Sequence, residues 1–457
     1  VRLPALLWLV AFGALAPWAM LQPAPYDWDP SYYLGVAQRL VAGEGATTDA
    51  VWNLAWLPPA LVHPADLHWM PLASRWLVPF VALPGDDWRA AQLATAALGA
   101  AWAPLAWAWA RRLGATPTLA VLAGLAAASG GGYARWLTSP ETVALYGLLG
   151  GAALLASTPG AAALGGVLAA LTRVDGGLLG LALALRPRPW PTRLLVLVAG
   201  PLAALAWAAR GVSLAGPEVV ALRRSALHGT DPAGWVLPAV PDPLPLADRL
   251  GFLLAHLGPL ARAEVLATGF ALAPFALFGA WRTRRMPGVA GVVAYALAAP
   301  VLLLLLAPAV AVEGSLFRSL AVAYPPACAL AMVGAGARGP LVPAALVAVV
   351  GALSVAAGLA QTETRAPFPD CAALASAGVP AGAPLLSYDP LGTSTRCGYP
   401  GVALGRAAPE ALDALAERYD VHWMLAAPVG YRSWTLAADE VALPGWERVA
   451  PRVWRRP

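Results

Sequence analysis

The chain has 457 residues, 59% of them hydrophobic and 12% charged, against roughly 25% charged in an ordinary soluble domain. A mean hydropathy of +0.64 over the whole length leaves too little polar surface to cover a fold in water, which excludes a soluble monomer. The net charge of +5 does not point to nucleic acid, because every basic residue is an arginine and most sit in short loops between apolar runs, where they orient a chain in a bilayer. An arginine-only, alanine-rich composition without isoleucine fits a GC-rich bacterial genome. With 45 glycines and 45 prolines, the membrane helices must be short, interrupted or closely packed.

Apolar stretches set against the ~20 residues that cross a bilayer predict spans near 4–21, 88–110, 117–129, 141–156, 160–172, 175–186, 193–210, 262–281, 289–308, 318–336 and 340–359. The expected fold is therefore an α-helical polytopic membrane protein with about eleven transmembrane or re-entrant helices, those between 117 and 186 being short for simple spans. Arg2, the pair Arg111 and Arg112, the group Arg186, Arg188 and Arg193, and the group Arg282, Arg284 and Arg285 fall in alternate loops. The positive-inside rule assigns these to the cytoplasm, which places the N-terminus inside and the C-terminus outside. The first apolar run is read as an anchor rather than a cleaved leader, since no small-residue cleavage site follows it.

Acids concentrate on the opposite face. A long first external loop, 22–87, carries Asp27, Asp29, Glu44, Asp49, Asp66, Asp86 and Asp87, and the loop 211–261 carries Glu218, Asp231, Asp242 and Asp248. Residues 1–360 form the membrane domain. From 361 to 457 the composition turns mixed and predicts a small soluble α/β domain outside the membrane, with strands at 384–388, 421–426 and 446–454 and a helix at 409–419. Cys371 and Cys397 share that domain while Cys328 lies in a membrane helix, so an oxidising exterior favours a Cys371 to Cys397 bond.

The densest chemistry lies in the first loop, at Tyr26-Asp27-Trp28-Asp29-Pro30-Ser31-Tyr32-Tyr33 and at Asp66-Leu67-His68-Trp69-Met70-Pro71-Leu72. Two acids at i and i+2 beside a helix end can hold Mg²⁺ or Mn²⁺ through hard oxygen ligands. The competing reading is that Asp29 caps a helix whose first residue is Pro30. Asp66 and His68 allow the same pair of readings, metal ligands or ordinary hydrogen bonding. Trp52, Trp56, Trp69 and Trp76 suit the membrane interface. Arg173, followed by Asp175, and Arg318 fall at outer helix ends, where a guanidinium can grip a lipid phosphate in two places or pair with a neighbouring acid.

Asp29-x-x-Tyr32-Tyr33, followed by Ala37, Leu40 and Gly43 and then by Asp66-x-x-Trp69-x-Pro71-Leu72, resembles the first external loop of oligosaccharyltransferase catalytic subunits and related GT-C membrane glycosyltransferases. The helix layout, the outer C-terminal domain and Thr172-Arg173-Val174-Asp175-Gly176 extend the resemblance along nearly the whole chain. It implies sugar transfer, with inversion, from a polyprenyl-phosphate or pyrophosphate donor to an extracytoplasmic glycan, lipid or protein. It also implies that Asp29 is the base with Asp27 beside it, and that Asp66, His68, Glu141, Arg173, Asp175 and Arg318 bind substrate. The next external loop offers only Ser139-Pro140-Glu141 where that family has a second acidic motif, and the tail lacks W-W-D-x-G. Mannosyltransferase-like and lipid-modifying members, some of which need no metal, are thus closer models than protein N-glycosylation, and an Asp29 and Asp66 metal pair is an option rather than a requirement. The non-enzyme alternative is a transporter or flippase, which usually shows two related halves; no internal repeat is visible.

Overall fold

Glycine and alanine decide how closely the helices of this chain approach one another. In the computed structural model, which describes residues 2–22, 25, 28–228, 245–267, 269–307, 315–362, 369–405, 409–428 and 444–456, a Cβ on Gly279 would stand 1.9 Å from the Leu330 carbonyl oxygen. The helices Ala273–Arg282 and Tyr324–Gly336 therefore meet backbone to backbone, the packing that small residues permit in a membrane.

From the N-terminus, α1 (Arg2–Met20) leads into the first loop, which folds as α2 (Asp29–Val41), β1 (Thr47–Thr48), β2 (Ala50–Val51), β3 (His63–Pro64) and α3 (Leu72–Val81). The bundle continues with α4 (Asp87–Ala100), α5 (Trp102–Arg112), α6 (Pro117–Ala128), α7 (Thr142–Leu155), α8 (Pro159–Thr172), α9 (Leu179–Ala184) and α10 (Trp190–Ala215). Further helices are Val219–His228, Leu246–Ala255, Leu257–Ala267, Ala273–Arg282, Val289–Leu306, Leu316–Ser319, Tyr324–Gly336 and Leu341–Thr362. Trp102 and Trp109 stand seven residues apart on α5, on one face, and donate their indole N–H groups to Ala144 O and Gly151 O of α7 at 2.9 and 3.1 Å. Gly147 lies between those two contacts, where a Cβ would collide with the Trp102 ring.

Of the eleven expected transmembrane or re-entrant helices, the described residues show five, or six with one bent pair, that could cross as long spans, and several shorter apolar ones. Five helices are long and apolar enough to cross a membrane by length and composition: Arg2–Met20, Asp87–Arg112, Trp190–Ala215, Val289–Leu306 and Leu316–Gly336. The expected 262–281 span is instead a pair of helices bent by 95°, turning at Gly269 and Phe270, both at positive φ. The apolar helices at Thr142–Leu155 and Pro159–Thr172 have 14 residues each, about 21 Å at 1.5 Å per residue and so shorter than a ~30 Å hydrocarbon core. Arg112 and Arg186 donate to the carbonyls of Leu155 and Ala156 at the C-terminal end of α7, and Gly288 packs on the Arg186 guanidinium. The three arginine-bearing loops thus share one end of the bundle.

At the other end, the first loop and the tail build one unit rather than two. A six-stranded sheet runs in the order β2, β5 (Gly401–Ala403), β4 (Leu385–Ser387), β6 (Trp423–Leu425), β8 (Val453–Arg455) and β7 (Glu447–Ala450). Its parallel edge strand β2 comes from the first loop, and the third expected strand is the hairpin of β7 and β8. One apolar core joins Tyr32, Trp52 and Trp56 to Leu386, Val402 and Met424 across the boundary expected at 361, while a smaller core around Leu385, Tyr388 and Leu425 lies within the tail. Trp52 and Trp56 are buried inside it, not laid out as an interfacial belt. Cys371 and Cys397 are bonded, with Cα atoms 5.3 Å apart, and Cys328 is free and buried.

The helix Pro390–Cys397 seats this unit on α2: Thr395 Oγ1 donates to Ser31 O at 2.9 Å, and Ser394 donates to Asp49. Gly35 makes room for it, since an added Cβ would come within 2.7 Å of Thr395 Oγ1. Gly35→Ala should therefore lower the thermal unfolding midpoint in detergent, by the equivalent of about 1–3 kcal/mol for an overpacked contact. Adding Thr395→Ala, which removes the obstructing hydroxyl, should recover part of the loss.

Candidate functional site

Asp29 opens α2, with Trp28 in the cap position making no side-chain cap bond and Pro30 in the first turn. The capping role expected of Asp29 thus shifts by one residue, and its carboxylate faces the bundle. Asp29 Oδ1 accepts from Trp69 Nε1 at 3.2 Å, and Oδ2 accepts from Arg318 Nη1 at 2.8 Å. The same Arg318 Nη1 lies 2.8 Å from Glu141 Oε1. Glu141 precedes α7, and its side chain is fully buried, whereas that of Asp29 is 23% exposed. One guanidinium nitrogen therefore joins a loop acid to a bundle acid.

Arg173 follows α8 and opens the turn Val174–Leu178, where Nε and Nη2 donate to the two oxygens of Asp175 at 3.0 and 3.4 Å. Its Nη1 reaches Thr142 Oγ1 at 3.4 Å, beside Glu141, and its guanidinium lies 5.6 Å from the centre of the Tyr146 ring. Arg173 and Arg318 are close enough to repel each other. Tyr33 sits among the charges of Asp29, Glu141, Arg173 and Arg318; burial first, then the two acids, push its hydroxyl well above the usual range, so it stays protonated. The structure gathers Asp29, Glu141, Arg173, Asp175 and Arg318 into one cluster.

Asp66 and His68 belong elsewhere. Asp66 is fully buried at positive φ; its carboxylate accepts from Tyr32 Oη at 3.2 Å and from Arg75 Nη1 at 2.6 Å, and its carbonyl accepts from Trp207 Nε1 at 3.1 Å. Its ionised form is disfavoured by burial and partly restored by Arg75. The His68 ring packs against both Trp52 and Trp69. The stacked rings of Tyr32 and Trp69, 4.0 Å apart, stand between Asp66 and Asp29, so the two acids do not form a shared metal pair. A divalent cation such as Mg²⁺ asks for a near-octahedral oxygen set at about 2.1 Å. Here the carboxylates of Asp29 and Glu141 converge on a guanidinium, and no group of three His, Cys, Asp or Glu side chains among the described residues is placed to hold a metal. Among the described residues, the two carboxylates that meet here are paired with Arg318 rather than arranged as an octahedral oxygen set for Mg²⁺ or Mn²⁺. Asp27 lies outside the described residues.

Three contributors were not anticipated: Tyr33 as the hydroxyl amid the charges, Trp69 as a direct donor to Asp29, and Thr142. The four-residue spacing of Asp29 and Tyr33 puts both on one helix face, a signal available in the sequence, whereas nothing local links Thr142 to Arg173.

Buried histidines in the loop core carry a pH dependence. Burial lowers the His63 pKa to about 4 and, reinforced by Arg223, that of His68 to about 3; in an unfolded chain both titrate near 6.5. The unfolded chain thus binds protons first as the pH falls, so stability is whole above pH ~6.5 and is lost on acidification through that interval. The thermal midpoint should drop from pH 7.5 to pH 5, and it should drop less in a His63→Gln, His68→Gln double variant.

No family model matches the chain, and no curated protein matches it. Solved structures do. The archaeal oligosaccharyltransferase AglB from Archaeoglobus fulgidus, in complex with an inhibitory peptide and a dolichol-phosphate, aligns at 12% identity with a TM-score of 0.52, over 91% of this chain and 69% of that one. The apo form of the Archaeoglobus fulgidus oligosaccharyltransferase aligns at 11% identity and 0.54 over 92% and 69%, and its complex with Zn and sulfate at 12% and 0.55 over 92% and 67%. At that identity the likeness is one of fold, and with 91–92% of this chain aligned it takes in the bundle, the first loop and the tail together: the chain shares the overall fold of the Archaeoglobus fulgidus oligosaccharyltransferase.

Proposed function

We propose that the protein is a GT-C glycosyltransferase that moves a sugar from a polyprenyl-phosphate or pyrophosphate donor to an extracytoplasmic acceptor, at the outer face of a bacterial cytoplasmic membrane. The observation that carries this reading is the meeting of Asp29 with Arg318 and Glu141 at the bundle end opposite the arginine loops. The dolichol-phosphate and peptide bound to the AglB neighbour support a lipid-linked donor. The positive-inside rule puts the arginine loops in the cytoplasm and the site outside.

In this mechanism Asp29 accepts the proton of the acceptor hydroxyl as its oxygen attacks the anomeric carbon. The bond from that carbon to the phosphate oxygen breaks on the opposite face, so the configuration inverts and the lipid phosphate leaves with its electron pair. Trp69 and Arg318 hold the Asp29 carboxylate in place. The growing charge on the leaving phosphate is met by guanidinium N–H donors, of which Arg173 Nη1 is the best placed, because Asp175 fixes the other edge of that group. Tyr33, kept protonated, supplies a further hydroxyl donor.

A general base contributes at least ~100-fold to rate. Asp29→Asn, which keeps the side-chain shape and one acceptor oxygen, should cut transfer by that factor or more while leaving a folded protein with a near-normal melting profile. The assay is purified protein in detergent with a panel of polyprenyl-linked sugars, reading loss of sugar from the lipid. Full activity in the variant removes Asp29 as base, and no sugar loss from any donor with wild-type protein favours the transporter alternative.

A further inference from the structure

We propose that Arg318 occupies the seat a divalent cation would take between Asp29 and Glu141, so that the site works with a built-in organic cation and binds no metal there. This rests on the glycosyltransferase reading for its catalytic meaning, though not for its test. Two acids from distant segments, one of them fully buried, converge within 2.8 Å of the same nitrogen, Nη1 of Arg318. Carboxylates brought so close repel, and burial multiplies that repulsion unless a cation stands between them. The fold supplies that cation covalently. Arg318 itself is nearly buried, with an 11% exposed side chain, in the short helix Leu316–Ser319. Phe317, next to it, stacks on Tyr133 at 4.2 Å and accepts a hydrogen bond from Tyr133 Oη through its carbonyl. The guanidinium is thus tied to the packed bundle rather than to a free-swinging chain.

Charge arithmetic separates the two designs. Asp29, Glu141 and Arg318 sum to −1, because a guanidinium carries one positive charge, while Arg173 and Asp175 cancel. A divalent ion in place of that guanidinium would bring the sum to zero and would draw harder on the Asp29 oxygens, making that carboxylate a weaker proton acceptor. The monovalent cation leaves Asp29 the more basic. It also fixes the carboxylate by a directed N–H bond, whose geometry a diffusing ion would have to recreate with water ligands.

The test is a Mn²⁺ titration followed by electron paramagnetic resonance of the free ion, on purified full-length protein at pH 7.5. Wild-type protein should take up no stoichiometric Mn²⁺ at millimolar concentrations, and folded Arg318→Ala should gain one site that is lost again when Glu141→Gln is added. Uptake of one Mn²⁺ by wild-type protein that Glu141→Gln abolishes would overturn the proposal, and so would a folded Arg318→Ala protein that gains nothing. The wild-type titration decides the matter even if the alanine variant fails to fold. Where wild-type protein shows transfer, excess EDTA should change its rate less than twofold, and a rate lost in EDTA and restored by Mn²⁺ overturns the inference. Absence of transfer with every donor, together with the expected titrations, counts against the function and leaves the cation seat standing.

Discussion

The guanidinium of Arg318 is the constraint on which the upper end of this molecule depends. Glu141 has a fully buried side chain, and a buried carboxylate without a partner is among the costlier things a fold can hold; breaking such a pair by removing one member costs several kcal/mol. Arg318 meets that need and spends the same nitrogen on Asp29, 289 residues earlier in the chain. The start of α2, the start of α7 and the segment before Tyr324–Gly336 are thereby drawn to one point. If the segment at 316–319 shifted by a turn, two acids would be left facing each other.

The other anchorage of α2 comes from the opposite direction. Along its flank the helix Pro390–Cys397 bonds to Ser31 O and to Asp49, while Arg39 forms an ion pair with Asp49 at 2.5 Å. The disulfide ends that helix, since Cys397 is its last residue. Asp29 is therefore positioned by the bundle at its head and by the tail along its side. A catalytic carboxylate has to be held within about half an ångström of its working position by groups that are themselves fixed, and the sheet that takes β2 from the first loop supplies that rigidity. On the proposed reading of Asp29 as the base, the tail is part of its support, not an appended module.

Much of this was legible in the sequence, and the failures have physical causes. Asp29 and its paired aromatics, the arginine loops and the two outer cysteines were visible because they are local: a helix start, a charge asymmetry, a shared compartment. Hydropathy located the apolar helices but could not divide spans from re-entrant pieces, because it sees apolar length and not whether a 14-residue helix reaches both interfaces. Strand β2 is two residues long and was invisible to any periodicity. Asp66 allowed two readings from sequence, metal ligand or ordinary hydrogen bonding; its bonds to Arg75 and Tyr32 are of the second kind and tie the loop together. Arg318 and Glu141 were each singled out, yet their pairing with Asp29 is a fact of tertiary structure that no spacing encodes.

The short helices also explain how so many charges come to be buried beside a membrane. Helices α7 and α8 pack closely as neighbours, and the turn between them, at Ala156 and Ser157, lies at the arginine end of the bundle. Each is about 21 Å long where the hydrocarbon core is ~30 Å, so neither is long enough to cross such a core end to end. Glu141 and Thr142 stand at the free end of α7, and Arg173 and Asp175 at the free end of α8. Glu141, Thr142 and Asp175 are buried there. Irregular backbone such as the turn Val174–Leu178 is tolerated at membrane depth when protein covers it or it lines a cavity. Here α2, bearing Asp29, and the loop carrying Trp69 meet these helix ends through Arg318 and Trp69. The low exposure of Glu141 strengthens the ion pair it makes with Arg318, so the contact that joins the loop to the bundle is also the one least weakened by solvent.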